Sequence, residues 1–317
     1  MTDIPIIYYV VAPCFIIILI LGVHLKNTFF SNEIKFPKQF YMREGYLSDV
    51  IPALRKIVTK NNKKIYVDFS EVEEMTEGSY MVFLAQVEKA LILGKSIRFL
   101  PKLPKSKLVI NILSTQKNSK YKHQNIRISG DIIPDKANTY NLLDPDYIDD
   151  VVYELKKLGF TEYYKPFYDY LVELMGNATE HGIRHKNINW WMLKYRDYSE
   201  RCMKYVFVDM GVGIIKSYEE SGLLKKYFFK SKKQIPLDAL NGKLGSSTRK
   251  PNRGRGLPQI REIIEKGYIS NFILITNGVS LRYINNEFVV SENPNFIGTY
   301  YSWTINKENF IRWKSTQ

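Results

Sequence analysis

The chain has 317 residues, a length that suggests about two domains, and 45% of them are hydrophobic, ample for packed cores and inconsistent with a disordered polymer. A formal charge of +14 and a pI near 9.4 point to an anionic partner, and charge alone does not choose among nucleotide phosphates, nucleic acid and an inner membrane face. Only two cysteines occur, Cys14 and Cys202, in no metal-ligand spacing, which argues against a disulfide framework or a thiolate zinc site and suits a reducing compartment.

From Ile4 to Leu25 the chain reads IPIIYYVVAPCFIIILILGVHL, with no formally charged side chain. About 20 such residues span a hydrocarbon core of ~30 Å. Asp3 precedes the run, and Lys26, Lys35, Lys38 and Arg43 follow it. That asymmetry predicts a single-pass membrane anchor over residues 1–26 with everything after it in the cytoplasm. A cleaved signal peptide fits poorly, because the basic n-region and an A-x-A-like site are missing. The alternative is a buried first helix or strand.

Next, KKIYVDFS alternates Ile65, Val67 and Phe69 and predicts a strand. Ser79 to Leu93 carries apolar residues at helical spacing and ends at Gly94, and SIRFL predicts a second strand. The three form a βαβ unit, for which parallel strands and a right-handed crossover are expected. Residues 101–144, with Pro101, Pro104, Pro134 and scattered lysines, read as a connecting region with short elements. A helix is expected from Asp146 to about Leu158, stopped by Gly159, and Pro166 suits the first turn of the next.

That next helix contains ELMGNATEHG. Leu171, Leu174, Met175 and Ala178 supply an apolar stripe, while Glu173 and Asn177, four residues apart, share another face with Glu180 and His181 nearby. Downstream, YVFVDMGVGI predicts a strand over Tyr205–Val208 that delivers Asp209, then Gly211 and Gly213. A carboxylate there can accept a hydrogen bond from an amine, and the glycines permit close backbone approach, although tight turns use the same residues. In NRGRGLPQIREIIEK, Gly254 and Gly256 stand just before a helix starting near Leu257 or Pro258, where free N–H groups attract phosphate. Neither the Walker A pattern nor the dinucleotide fingerprint is matched. Finally, FIGTYYSWTI predicts a late strand begun by Gly298-Thr299.

Two resemblances follow. Asp68 to Leu100, with D-F-S-x-V-x-x-M followed by a helix, resembles the STAS fold of anti-sigma-factor antagonists. The serine phosphorylated in that family falls at Glu77 here, with Thr76 and Ser79 beside it, so phosphorylation is not expected. The order E-x-x-x-N, D-x-G-x-G-I, G-x-G-L, G-T over residues 146–306 resembles the GHKL superfamily of gyrase, heat-shock chaperones, sensor histidine kinases and MutL. That resemblance implies a Bergerat fold, an α/β sandwich binding ATP and Mg²⁺ between helices and a mixed sheet. It implies that Asn177 coordinates the metal on the phosphates, that Asp209 meets the adenine amine, and that Gly211 and Gly213 shape that loop. Gly254, Gly256 and Leu257 would border the lid and meet the phosphates, Thr299 would lie near adenine, and Glu173 would activate the nucleophile.

Between Gly213 and Gly254 basic residues outnumber acidic ones, including Lys225, Lys226, Lys230, Lys232, Lys233, Arg249 and Lys250. The segment resembles a mobile ATP lid in which Thr248 and Arg249 would offer hydroxyl and cationic contacts. A solvated basic loop is the plainer reading of each lysine. Tyr163-Tyr164 and Tyr300-Tyr301 are expected as core or interface.

The expected architecture is therefore α/β throughout. A transmembrane helix (1–26) precedes a STAS-like βαβ domain (27–105), a connecting region (106–144) and a two-layer Bergerat sandwich (145–317). The expected function is a membrane-anchored ATPase that couples nucleotide state to a regulatory partner, STAS-like or similar. The alternatives are a serine/threonine kinase acting on a STAS-like partner, or a nucleotide-binding module without turnover. None of His24, His123, His181 and His185 lies in a dimerisation hairpin, which disfavours a histidine kinase, and no transducer segment is seen after the last motif, which disfavours a gyrase- or MutL-like machine. Nucleic-acid binding has charge in its favour but no motif. Members of the superfamily often dimerise, and the sequence leaves a homodimer open.

Overall fold

The computed structural model describes residues 32–116, 127–128, 131–132, 145–183, 190–224, 231–245 and 256–317. The expected anchor, Ile4 to Leu25, lies outside them, as do Thr248, Arg249 and Gly254. Among the described residues no helix is long and apolar enough to cross a membrane.

The N-terminal layer contains β1 (Glu33–Lys35), β2 (Gln39–Phe40), α1 (Leu47–Thr59), β3 (Lys64–Asp68), β4 (Glu74–Met75), α2 (Glu77–Ile92) and β5 (Ser96–Phe99). Strands β1, β3 and β5 form a three-stranded parallel sheet in that order. The β3–α2–β5 unit is the expected βαβ, and Ile65, Val67 and Phe69 are all buried. In α1, Leu47, Val50, Ile51, Leu54, Ile57 and Val58 recur at helical spacing and form its buried stripe. The Thr76 hydroxyl caps α2 by accepting from the Ser79 N–H at 3.1 Å.

The expected connecting region is partly structured. In α3 (Lys107–Ser114), Val109 and Ile112 are buried in the N-terminal core. After β6 (Thr115–Gln116) and β7 (Arg127–Ile128), β8 (Asp131–Ile132) pairs with the edge of the larger sheet. Such elements are too short for periodicity to set their type and bounds.

In the second half, α4 (Pro145–Tyr153) runs into a 3₁₀ segment, Glu154–Leu158, that ends at Gly159 in the left-handed region (φ +83°). Then come α5 (Lys165–Ile183), β9 (Trp190–Asp197), β10 (Cys202–Asp209), α6 (Ile214–Glu220), α7 (Gln234–Leu240), α8 (Gly256–Glu265), β11 (Ser270–Thr276), β12 (Val279–Ile284), β13 (Glu287–Glu292), β14 (Thr299–Asn306) and α9 (Lys307–Lys314). The sheet order is β13-β12-β11-β14-β10-β9-β8, and every described pairing is antiparallel. The mixed sheet implied by the resemblance is thus not found. The reason is topological: β10 and β11, linked by the α6–α8 crossover, run parallel to each other, but β14 is inserted between them.

Alternation along the strands divides two cores. Tyr205, Phe207, Tyr301, Trp303 and Leu274 pack with Leu171, Leu174 and Met175 of α5 and with Ile260 of α8. Val206, Val208, Trp191, Leu193, Ile275 and Tyr300 face the other way and share one core with α1 and α2. The expected two-layer sandwich therefore has its second face covered by the N-terminal layer. Helix α2 is held between two sheets because Tyr80–Ala85 is six apolar residues in a row, which no single partner surface can cover. Its glycine lets it come close: a Cβ at Gly78 would lie 2.8 Å from Val206 Cγ2. Glu44 adds a second bridge, accepting from the Ser291 hydroxyl at 2.8 Å and pairing with Arg282.

Candidate functional site

Burial of Leu171, Leu174, Met175 and Ala178 fixes the rotation of α5, and that rotation turns Glu173 and Asn177 toward the start of α8. A Cβ at Gly256 would collide with Glu173 Oε2 and lie 3.4 Å from both amide atoms of Asn177. Backbone, carboxylate and amide therefore meet at one point, and any side chain at Gly256 would fill it. A carboxylate beside the N-terminal turn of α8 is favoured by the helix dipole and the free N–H groups there. Asn177 Nδ2 is buried without a hydrogen-bond partner among the described residues, so the amide has unused polar capacity at this point. Leu257, the next residue, is half-buried against apolar clusters on both sides of α8. Its side chain packs, and only its backbone faces the start of the helix.

A second group forms at the end of β10. Asp209 stands opposite Thr299 of β14 on one side and Trp190 of β9 on the other. It is 8% exposed, and its carboxylate accepts from the Gly211 N–H at 2.9 Å. Burial pushes its pKa up to about 6, opposed by that N–H, the Thr299 hydroxyl and the Lys89 ammonium. Gly213 adopts φ +86° and leaves room for the side chain of Asn277, which a Cβ would strike. Asn277 Nδ2 donates to the Val212 carbonyl at 2.8 Å, and the Thr276 hydroxyl accepts from the Ile214 N–H at 2.9 Å. Thr276, the last residue of β11, and Asn277 just after it thus hold the D-x-G-x-G loop in shape.

Of the residues singled out by sequence, Glu173, Asn177, Gly256 and Leu257 gather at the first point, and Asp209, Gly211, Gly213 and Thr299 at the second. Thr248, Arg249 and Gly254 lie outside the described residues. Sequence reasoning missed Thr276, Asn277 and Lys89. Gly298, expected before the last strand, stands at its start with φ +101°, and a Cβ there would strike the Asp209 carbonyl. Asn277-Gly278, between two apolar runs, is a recognisable hairpin signal. Lys89 resembles any lysine near a helix end.

Among the described residues no three His, Cys, Asp or Glu side chains converge as a metal cage. A single amide oxygen beside a carboxylate suits a hard cation that takes most of its oxygens from phosphate and water. The start of α2 offers no free acceptor hydroxyl: Ser79 is 1% exposed, accepts from the Met42 N–H at 3.1 Å and lies 2.8 Å from the Thr76 hydroxyl. Tyr164, Tyr300 and Tyr301 are core residues, and the Tyr164 hydroxyl donates to the Tyr268 carbonyl at 2.7 Å. No family model matches the chain, and a search of curated proteins finds no match.

Proposed function

We propose that this protein binds ATP with Mg²⁺ in the manner of the GHKL superfamily, hydrolyses it, and couples the nucleotide state to a regulatory partner. The observation that carries the reading is the meeting of Glu173, Asn177 and the side-chain-free start of α8 at one point. In this reading the N–H groups opening α8 face the phosphates, and the Asn177 amide oxygen would share Mg²⁺ with them. The metal supplies neutralisation of phosphate charge. At the other end Asp209 accepts a hydrogen bond from the exocyclic amine of adenine, with Thr299 at its side. Glu173 holds the attacking water and takes its proton as the new P–O bond forms and the bond to the bridging oxygen of ADP breaks. The products are ADP and phosphate.

The STAS-like character of residues 27–105 and anchorage through Ile4 to Leu25 belong to the same proposal. Anchorage is tested by whether the full-length chain resists extraction from membranes by alkaline carbonate.

The plainer reading treats Glu173 as a carboxylate that stabilises a helix end and nothing more. The two separate on one experiment, incubation of the protein with γ-labelled ATP and Mg²⁺. Glu173→Ala should keep ATP binding and release no phosphate, and Asn177→Ala should lose Mg²⁺-dependent binding. Wild-type turnover in Glu173→Ala, or no heat from ATP in a calorimeter, refutes the proposal. Label appearing on a STAS-like protein in place of free phosphate assigns Glu173 to a serine or threonine hydroxyl, making the chain a kinase.

A further inference from the structure

Helix α2 belongs to the N-terminal layer, yet it makes polar contacts to both chain segments that frame Asp209. Lys89 Nζ donates to the carbonyl of Met210, the residue following Asp209. One turn earlier, Gln86 Nε2 donates to the carbonyl of Ile297 at 3.4 Å, just before Gly298-Thr299. Positions 86 and 89 share a helical face, so one surface of α2 reaches both ends of the Asp209–Thr299 pair. Gln86 is 1% exposed, and burial lowers the pKa of the Lys89 ammonium while Asp209 works to raise it. Lys89 is half-buried there, with the Met210 carbonyl as its hydrogen-bond acceptor and the Asp209 carboxylate acting on it at longer range.

We infer that Lys89, supported by Gln86, is a positioning residue for base recognition, so that docking of the N-terminal layer sets the edge formed by Asp209 and Thr299. The inference rests on the nucleotide reading above and deepens it: the N-terminal layer acts on the base end of the site, whereas Glu173 and Asn177 act on the phosphate end. Without the Lys89 contact the Met210 carbonyl loses a charged donor and the 209–213 loop loses its tie to α2. Affinity for the phosphates is left to groups that α2 does not touch. A signal that loosens the N-terminal layer would then weaken adenine recognition first.

Calorimetric titration of the full-length protein with Mg·ATP and Mg·GTP tests this, because guanine carries a carbonyl where adenine carries the amine. The wild type should prefer ATP. Lys89→Met should weaken ATP binding about tenfold, the size expected for one hydrogen bond to a charged group, with GTP binding little changed. Lys89→Arg, which keeps a cationic donor, should retain the preference. Equal losses for both nucleotides, an unchanged preference in Lys89→Met, or a lost preference in Lys89→Arg overturns the inference. If Lys89→Met does not fold, Gln86→Met severs the companion contact and is judged by the same preference. A wild-type protein that binds neither nucleotide refutes the nucleotide reading itself, an outcome distinct from any difference between variants.

Discussion

The Cα of Gly298 rests against the backbone carbonyl of Asp209, in a space that no side chain can share, with φ at +101°. Two strand ends are brought together there, one presenting Asp209 and the other Thr299. Gly298→Ala meets both the carbonyl and the left-handed backbone, and should destabilise the fold by about 2–4 kcal/mol. Gly176, inside α5 with open space around it, provides the contrast: Gly176→Ala should stabilise by ~0.5–1 kcal/mol. Urea midpoints of the two variants should move in opposite directions.

Asp209→Asn should trade function for stability. Around the carboxylate lie the Gly211 N–H, the Thr299 hydroxyl, Tyr301 of the same strand and Lys89 of α2, with Lys216 of α6 acting on Lys89. The folded-state pKa is raised from 3.8 to about 6, so the native protein holds its proton more tightly than the unfolded chain. Stability therefore falls as pH rises from about 4 to about 6, and the cost is complete above that. Asparagine does not ionise, and the variant should gain on the order of 1–3 kcal/mol at pH 7–8, with the gain vanishing below pH 4. Melting temperatures measured from pH 4 to 8 check the sign, and the same variant should lose its preference for ATP.

Gly78→Val should push α2 off the sheet, since its side chain would meet Val206. Overpacking of this kind costs about 1–3 kcal/mol. Val206→Ala makes room at the same spot, so the double variant should be more stable than the sum of the two single effects predicts. A strictly additive double variant would mean that the two residues do not touch.

Tyr205 is fully buried and stacks on Trp303 with ring centroids 5.4 Å apart, and its hydroxyl has no partner among the described residues. Tyr205→Phe keeps the stack and removes a stranded polar group, and should be neutral or stabilising by up to about 1–2 kcal/mol. Trp303→Ala should cost about 3–5 kcal/mol through the cavity it leaves. Denaturation of both variants by guanidinium distinguishes the two effects.

Local structure was legible in the chain wherever one face had one neighbour. The alternation of Ile65, Val67 and Phe69 marks β3, and the stripe from Leu171 to Ala178 marks α5 and leaves Glu173 and Asn177 on the remaining face. Non-local choices were not legible. Nothing in FIGTYYSWTI says that β14 inserts between β10 and β11, because strand order is decided by long-range pairing. Helix α2 did carry a signal, since YMVFLA is apolar on every side and calls for two partner surfaces. The role of Lys89 lies beyond any pattern, because a half-turn difference in docking would have left the same residue in water.

The central place of β14 has a consequence for biosynthesis. All five described strands of the N-terminal layer precede residue 100, so that layer can form early, with the second apolar side of α2 still bare. The middle of the large sheet stays open until residues 299–306 have left the ribosome. At usual elongation rates that interval is roughly 10–40 s, during which the second side of α2 has no finished sheet to lie on. A nascent chain of this kind is a natural client for ribosome-associated chaperones, and truncation just before β14 should leave an aggregating product in place of a smaller folded one.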